Sequence, residues 1–232
     1  MYALGKNVFG PGAALFSSLM FLTYQQSIIH FRMSYAHNGA ALGNLLLTLY
    51  LLQPANWNNN LRGGFGLALS AGSHPLFIHS AIAAWLSRIR NPKSWVPLFL
   101  PTGIYLFVSL GLIYLRFGSW LGEDLGHLFE TFTARGEQDA SGMGAALSNL
   151  AHFSLQDPYH LFMIIGLLLC FNRRCYPISL MGLFVTFMLV KNRANLIVFY
   201  YQAIVILPVL TLSWARWYEL AQLLSDRAFK SP

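Results

Sequence analysis

The sequence predicts an all-α protein, a polytopic transmembrane helix bundle of about seven to eight membrane helices including a half-helix pair. Three observations predict it. Hydrophobic residues fill 56% of 232 positions and charged residues only 10%, where a soluble domain carries about a quarter. Apolar runs recur along the whole chain, and the mean hydropathy is +0.50. Aromatics are dense, and Trp57, Trp95, Trp120, Trp214 and Trp217 stand near the ends of apolar runs, where an amphipathic ring anchors at a bilayer interface.

Seven apolar stretches follow in order, at 8–29, 36–52, 64–86, 95–115, 159–171, 178–190 and 196–214. A helical crossing takes about 20 residues, so the fifth and sixth must borrow from their flanks. Pro158 suits a helix start and Tyr176 suits the interface. The third stretch contains Ser70-Ala71-Gly72-Ser73-His74-Pro75 at its centre. Proline removes a backbone donor there, and a polar break at membrane depth needs cover from protein or a water-filled cavity. Two arrangements stay open, a kinked crossing or two short helices that enter and leave on one side.

Positive charge bears on the choice. With the third stretch as a hairpin and the N-terminus inside, Lys6, Arg62, Arg88, Arg90, Lys93, Arg173, Arg174, Arg216, Arg227 and Lys230 are cytoplasmic. Arg32, Arg116, Arg135, Lys191 and Arg193 are then outside, the bias that cytoplasmic loops show. A plain seven-crossing chain with its N-terminus outside does nearly as well. The expected organisation is one transmembrane domain over 1–232, with an extracytoplasmic loop at 116–157. Within that loop Leu121, Leu125, Leu128, Phe129 and Phe132 recur at helical spacing, which predicts an amphipathic helix on the membrane surface over 119–133.

The net charge of +7 does not mark a nucleic-acid partner, because the basic residues are scattered between apolar runs. Cys170 and Cys175 suggest neither a disulfide framework nor a metal site. Met1 leads into an apolar run with no small-residue cleavage site, so no signal peptide is expected.

Ionisable groups near a membrane are costly and stand as functional candidates. The first cluster is His30-Phe31-Arg32 through His37-Asn38, which also reads as an interfacial loop with an anchoring arginine. The second is Ser73-His74-Pro75 with His79, alternatively helix-packing histidines. The third is Lys191-Asn192-Arg193 ahead of Tyr200, Tyr201 and Pro208, either a phosphate grip or snorkelling helix ends. Spacing yields no metal-ligand set.

The opening Leu4-Gly5-Lys6-Asn7-Val8-Phe9-Gly10 resembles an element of the GT-C membrane glycosyltransferases. Within them it is similar to the bacterial relatives of dolichyl-phosphate-mannose protein mannosyltransferases and the lipid A aminoarabinose transferases. His30 to Asn38 resembles a motif at the outer end of the family's next helix, and Gly66 to Trp85 resembles its pair of half-length helices, with Ser73-His74 where the family often has Thr-Lys. Asp157-Pro158 and the spacing from Arg193 to Pro208 are also similar.

The resemblance implies a C-terminal part of an inverting glycosyltransferase that takes a sugar from a polyprenyl-phosphate donor to an extracytoplasmic acceptor. Its substrate-binding residues would be Arg32, Asn38, His74, Lys191, Arg193 and Tyr200. The family's catalytic aspartate lies in a loop that this chain is expected to begin after, so no catalytic residue is assigned. No cofactor is assigned and a divalent metal is left open; the partners would be membrane lipids, the lipid-linked sugar and an acceptor of unknown identity. The expected location is the plasma (inner) membrane, as a multi-pass protein. The rival reading is a non-enzymatic transporter or a subunit of a multi-protein membrane complex, since a broken helix also marks transporter sites.

Overall fold

The computed structural model describes residues 2–24, 35–74, 77–118, 148, 151–152, 155, 157–172, 175–191 and 206–228. It is all-helical, with no strand among the described residues. The amphipathic stretch 119–133, Trp120, Arg32, Arg193 and Tyr200 lie outside the described residues.

The first apolar run is divided, contrary to the expectation of one continuous helix from Val8. Helix α1 (Tyr2–Phe9) stops at Gly10, whose φ of 84° suits glycine and strains any other residue. Helix α2 (Pro11–Thr23) then starts on a proline, whose missing N–H is no loss in a first turn. A Cβ on Gly5 would sit 3.3 Å from that of Ala14, so α1 folds back along α2.

Helices α3 (Tyr35–Leu51) and α4 (Trp57–Ser73) are antiparallel and almost in backbone contact. A Cβ on Gly43 would lie 2.5 Å from the Gly66 carbonyl oxygen, and one on Gly66 would lie 2.7 Å from that of Gly43. Small residues at these crossings let two helices approach as they do in membrane helix pairs. Asn56 caps α4 by accepting a hydrogen bond from the Asn59 N–H at 2.8 Å. The helix ends at Ser73 because Pro75 excludes further helix, and His74 is already extended at φ −160°.

Helix α5 (Phe77–Ser87) brings the chain back to where α4 began. Arg88, just past its end, donates from Nε to Asn60 Oδ1 at 3.1 Å. The third apolar stretch is therefore a helical hairpin, about 26 Å out along α4 and about 17 Å back along α5 at 1.5 Å per residue. It is not a continuous span.

A short 3₁₀ turn (Pro92–Ser94) leads into α6 (Trp95–Phe117), which Gly118 closes in the left-handed conformation at φ 69°. Its most apolar 18-residue window, within Pro92–Arg116, has a mean hydropathy of 2.0, making this the one described helix long and apolar enough to cross a membrane. It runs parallel to α4, since Gly64 abuts the Leu98 carbonyl and Gly72 abuts the Tyr105 ring. Only 22% of its apolar window is buried, and Phe107 and Leu115 are 76% and 82% exposed.

Helices α7 (Pro158–Leu169), α8 (Tyr176–Lys191) and α9 (Leu207–Ala228) complete the described fold. Helix α9 overlaps the expected span at 196–214 from Leu207 onward and continues past it, buried through its first nine residues and exposed from 221 to 227; positions 196–205 lie outside the described residues. Trp214, expected as an interfacial anchor, packs instead with Phe16, Tyr159 and Phe162 at ring-centroid distances of 6.2, 6.0 and 6.0 Å.

Candidate functional site

The α4–α5 hairpin has two ends, and polar side chains gather at both. At its open end Arg88 is 8% exposed and saturates the carbonyls that close α3. Its Nη2 donates to the Gln53 oxygen at 3.1 Å and the Tyr50 oxygen at 3.5 Å, while Nε takes Asn60. A guanidinium at a helix C-terminus meets both the orphan carbonyls and the negative end of the helix dipole. The Arg88 carbonyl accepts from Trp95 Nε1 at 3.1 Å, and the Tyr176 hydroxyl donates to the Ser87 carbonyl. Burial pulls the Arg88 pKa below the usual guanidinium value, against which the Tyr176 phenol raises it. Five helices thus converge on one arginine, held by neutral groups.

At the closed end, His74 packs against His37 of α3 with ring centroids 4.5 Å apart and the planes tilted by 54°. Beside them Ser73 faces Gly39, where a Cβ would collide with the serine hydroxyl. The depth of this pair follows from α6. Gly72 is level with Tyr105, ten residues along α6 from Trp95, or about 15 Å from the arginine end. That is about half of a 30 Å hydrocarbon core. Two imidazoles in contact can pass a proton between them or jointly hold an anion when one is charged.

Asn38 is the next residue after His37, yet it faces elsewhere. It lines a cavity of about 390 Å³ with Ser18 and Phe21 of α2, Leu42 and Leu45 of α3, and Pro208 of α9. His79 packs against Phe184 of α8, at 6.2 Å between rings, rather than joining the histidine pair. Lys191 ends α8. Of the six residues that sequence marked for substrate binding, three are placed: His74 and Asn38 on two sides of α3, and Lys191 at the end of α8. Arg32, Arg193 and Tyr200 lie outside the described residues.

A third cluster escaped the sequence reading. The Tyr24 hydroxyl donates to Asp157 Oδ2 at 2.6 Å, and Oδ1 accepts from the Tyr159 and His160 N–H groups at 3.0 and 3.4 Å. Asp157 is the N-cap of α7 and the clamp that ties α7 to the end of α2. Its Asp-Pro pair does announce a helix start, but nothing local points to Tyr24, 133 residues away. The other described carboxylates, Glu219 and Asp226, sit on α9. Among the described residues no group of three His, Cys, Asp or Glu is placed to hold a metal ion, and Cys170 and Cys175 are buried free thiols. Comparison with protein-family models, with curated proteins and with solved structures finds no match to this chain.

Proposed function

We propose that the chain is a multi-pass protein of the plasma (inner) membrane and forms part of a GT-C-like glycosyltransferase acting on a polyprenyl-phosphate-linked sugar. The observation that carries the reading is the α4–α5 hairpin, whose apex sets His74 against His37 at about half the depth of a bilayer. A half-length helix pair with polar residues at depth suits a lipid-facing enzyme, because irregular backbone at that level must line protein or a cavity. The membrane part is supported by α6, a long apolar helix that is mostly exposed where a soluble core helix would be covered. It is supported too by Trp57, Trp85 and Trp95 at the same end as Arg62, Arg88, Arg90 and Lys93.

In this reading Arg193, Lys191 and His74 meet the donor phosphate and Arg32 lines the outer face of the same cavity, while Asn38, on the other side of α3, faces a separate cavity and drops out of the set. Arginine suits the role because its planar fork holds two phosphate oxygens and keeps its charge where water is scarce. The test uses the full-length protein. Arg193→Ala is expected to bind a polyprenyl-phosphate sugar about ten- to a hundredfold more weakly, the worth of one charged hydrogen-bond partner, with Arg193→Lys in between. Donor binding unchanged in Arg193→Ala refutes the phosphate role. Topology is tested separately. Cysteines at Asn91 and Gly136 are expected to be labelled from opposite sides, and labelling of both from one side refutes the hairpin topology.

A second reading, a subunit of a membrane complex, draws on α9. Leu223 and Leu224 are 50% and 67% exposed on a helix that outruns its packing partners. Purification as a single species, with sugar transfer intact, decides against it.

A further inference from the structure

We infer that the groove between the end of α5 and the start of α8 binds an anionic phospholipid, with Arg90 holding the headgroup phosphate. The inference rests on the membrane reading above and is independent of the glycosyltransferase one. The groove encloses about 720 Å³, within the 300–1,000 Å³ range common for small-molecule sites. Its walls are chiefly apolar, from Leu86 and Ile89 on one side and Phe171 and Leu180 on the other. Ile89 and Phe171 stay 47% and 56% exposed.

Among the described residues Arg90 is the charged group in that lining. It is exposed and makes no hydrogen bond or ion pair with any described residue. No carboxylate lines the groove among the described residues, and Glu219 is already paired with Arg216 at 2.9 Å. The walls are fixed in advance. The Tyr176 hydroxyl bonds the Ser87 carbonyl, Asn172 Oδ1 accepts from the Cys175 N–H at 3.0 Å, and Arg88 locks the turn just before Arg90. A bound ligand therefore has little to order besides itself.

A lipid is favoured over a soluble phosphate by what surrounds the cation. Trp85 and Trp95 pack at 6.0 Å between rings, and Trp95 hydrogen-bonds the Arg88 carbonyl, which sets an aromatic belt at this level. Arg90 stands just beyond that belt, where headgroup phosphates lie, and the apolar walls run from it toward the hydrocarbon. Basic pockets between membrane helices on this face are a recurrent means of holding anionic headgroups. The arginine fork meets two phosphate oxygens, and the glycerol and upper acyl carbons cover Ile89 and Phe171.

The full chain, purified in detergent, is titrated with phosphatidylglycerol, phosphatidylcholine or glycerol 3-phosphate, and bound lipid is counted by native mass spectrometry. Phosphatidylglycerol is expected to bind best. Its affinity should fall about fivefold in Arg90→Gln, the ~1 kcal/mol typical of one basic residue at an anionic surface. Leu180→Trp, which fills the groove, should also lose it, whereas Arg227→Gln at the same end should not. Equal binding in Arg90→Gln, or phosphatidylcholine binding as well as phosphatidylglycerol, overturns the inference. Glycerol 3-phosphate competing on equal terms overturns it in favour of a soluble-anion site. Resistance to carbonate extraction, measured on the same variants, keeps a failed groove apart from a failed membrane assignment.

Discussion

The two ends of the α4–α5 hairpin solve the burial of polar groups in opposite ways. At the open end a full charge is taken out of solvent and met by carbonyls at the end of α3 and an amide of α4. At the closed end two ionisable rings pack against each other beside small residues. Hydrogen bonds to a charged group are worth about 1.5–3 kcal/mol each, whereas a ring pair contributes about 0.5–1.5. The arginine end is accordingly the fixed point of the fold, and the histidine end is held by weaker ring contact. Structural and chemical duties are separated along a single hairpin.

That contrast breaks most readily at Arg88. Arg88→Ala removes the guanidinium and leaves Asn60 and the carbonyls that close α3 without it, so a loss of about 1–3 kcal/mol for each buried group left unsatisfied is expected. Thermal unfolding in detergent measures it, and a loss below one kcal/mol would mean that water replaces the arginine without penalty. Next in size is Gly43→Val, which drives a side chain into the Gly66 carbonyl and should cost about 1–3 kcal/mol by overpacking. If α3 tolerates valine there unchanged, the two helices are not in backbone contact. Tyr24→Phe deletes one hydrogen bond to a carboxylate, about 1.5 kcal/mol or less at a part-buried site, and should first loosen α2 from α7. Hydrogen exchange across both helices reads that change. The smallest stability effect belongs to His74→Gln, expected within about one kcal/mol of wild type because it loses a ring contact and keeps a polar side chain. A His74→Gln protein as unstable as Arg88→Ala would erase the distinction between the ends.

The hairpin was legible because proline, serine and histidine interrupt an apolar run, and because its open end collects positive charge. The division at Gly10-Pro11 carried an equally plain local signal, a glycine followed by a helix-starting proline, but hydropathy alone ran straight through it. The α3–α4 contact was half visible. Gly39 and Gly43 are four apart, while their partners Gly66, Ser70 and Ser73 depend on a register that only the packed pair defines. Arg88 was counted as one positive charge among many. Its true role needs Asn60, Gln53 and Tyr50 brought around it by two chain reversals, which no local pattern encodes. Of the candidate site, sequence found His74 and missed its partner. His37 had been grouped with Arg32 and Asn38, by adjacency in the chain and not in space.

A chain that leaves the hairpin beside the place where it entered has made an even number of moves. In a membrane, everything downstream of Asn91 then keeps the orientation it would have had if residues 57 to 87 were missing. Such a segment is parity-neutral: it can be lengthened, shortened or lost in descent without turning the following loops inside out. A single full crossing has no such latitude, since gaining or losing one inverts every later segment. Arg88 acts as the bookmark that returns the thread to its page, its bond to Asn60 holding the exit of the hairpin beside its entrance.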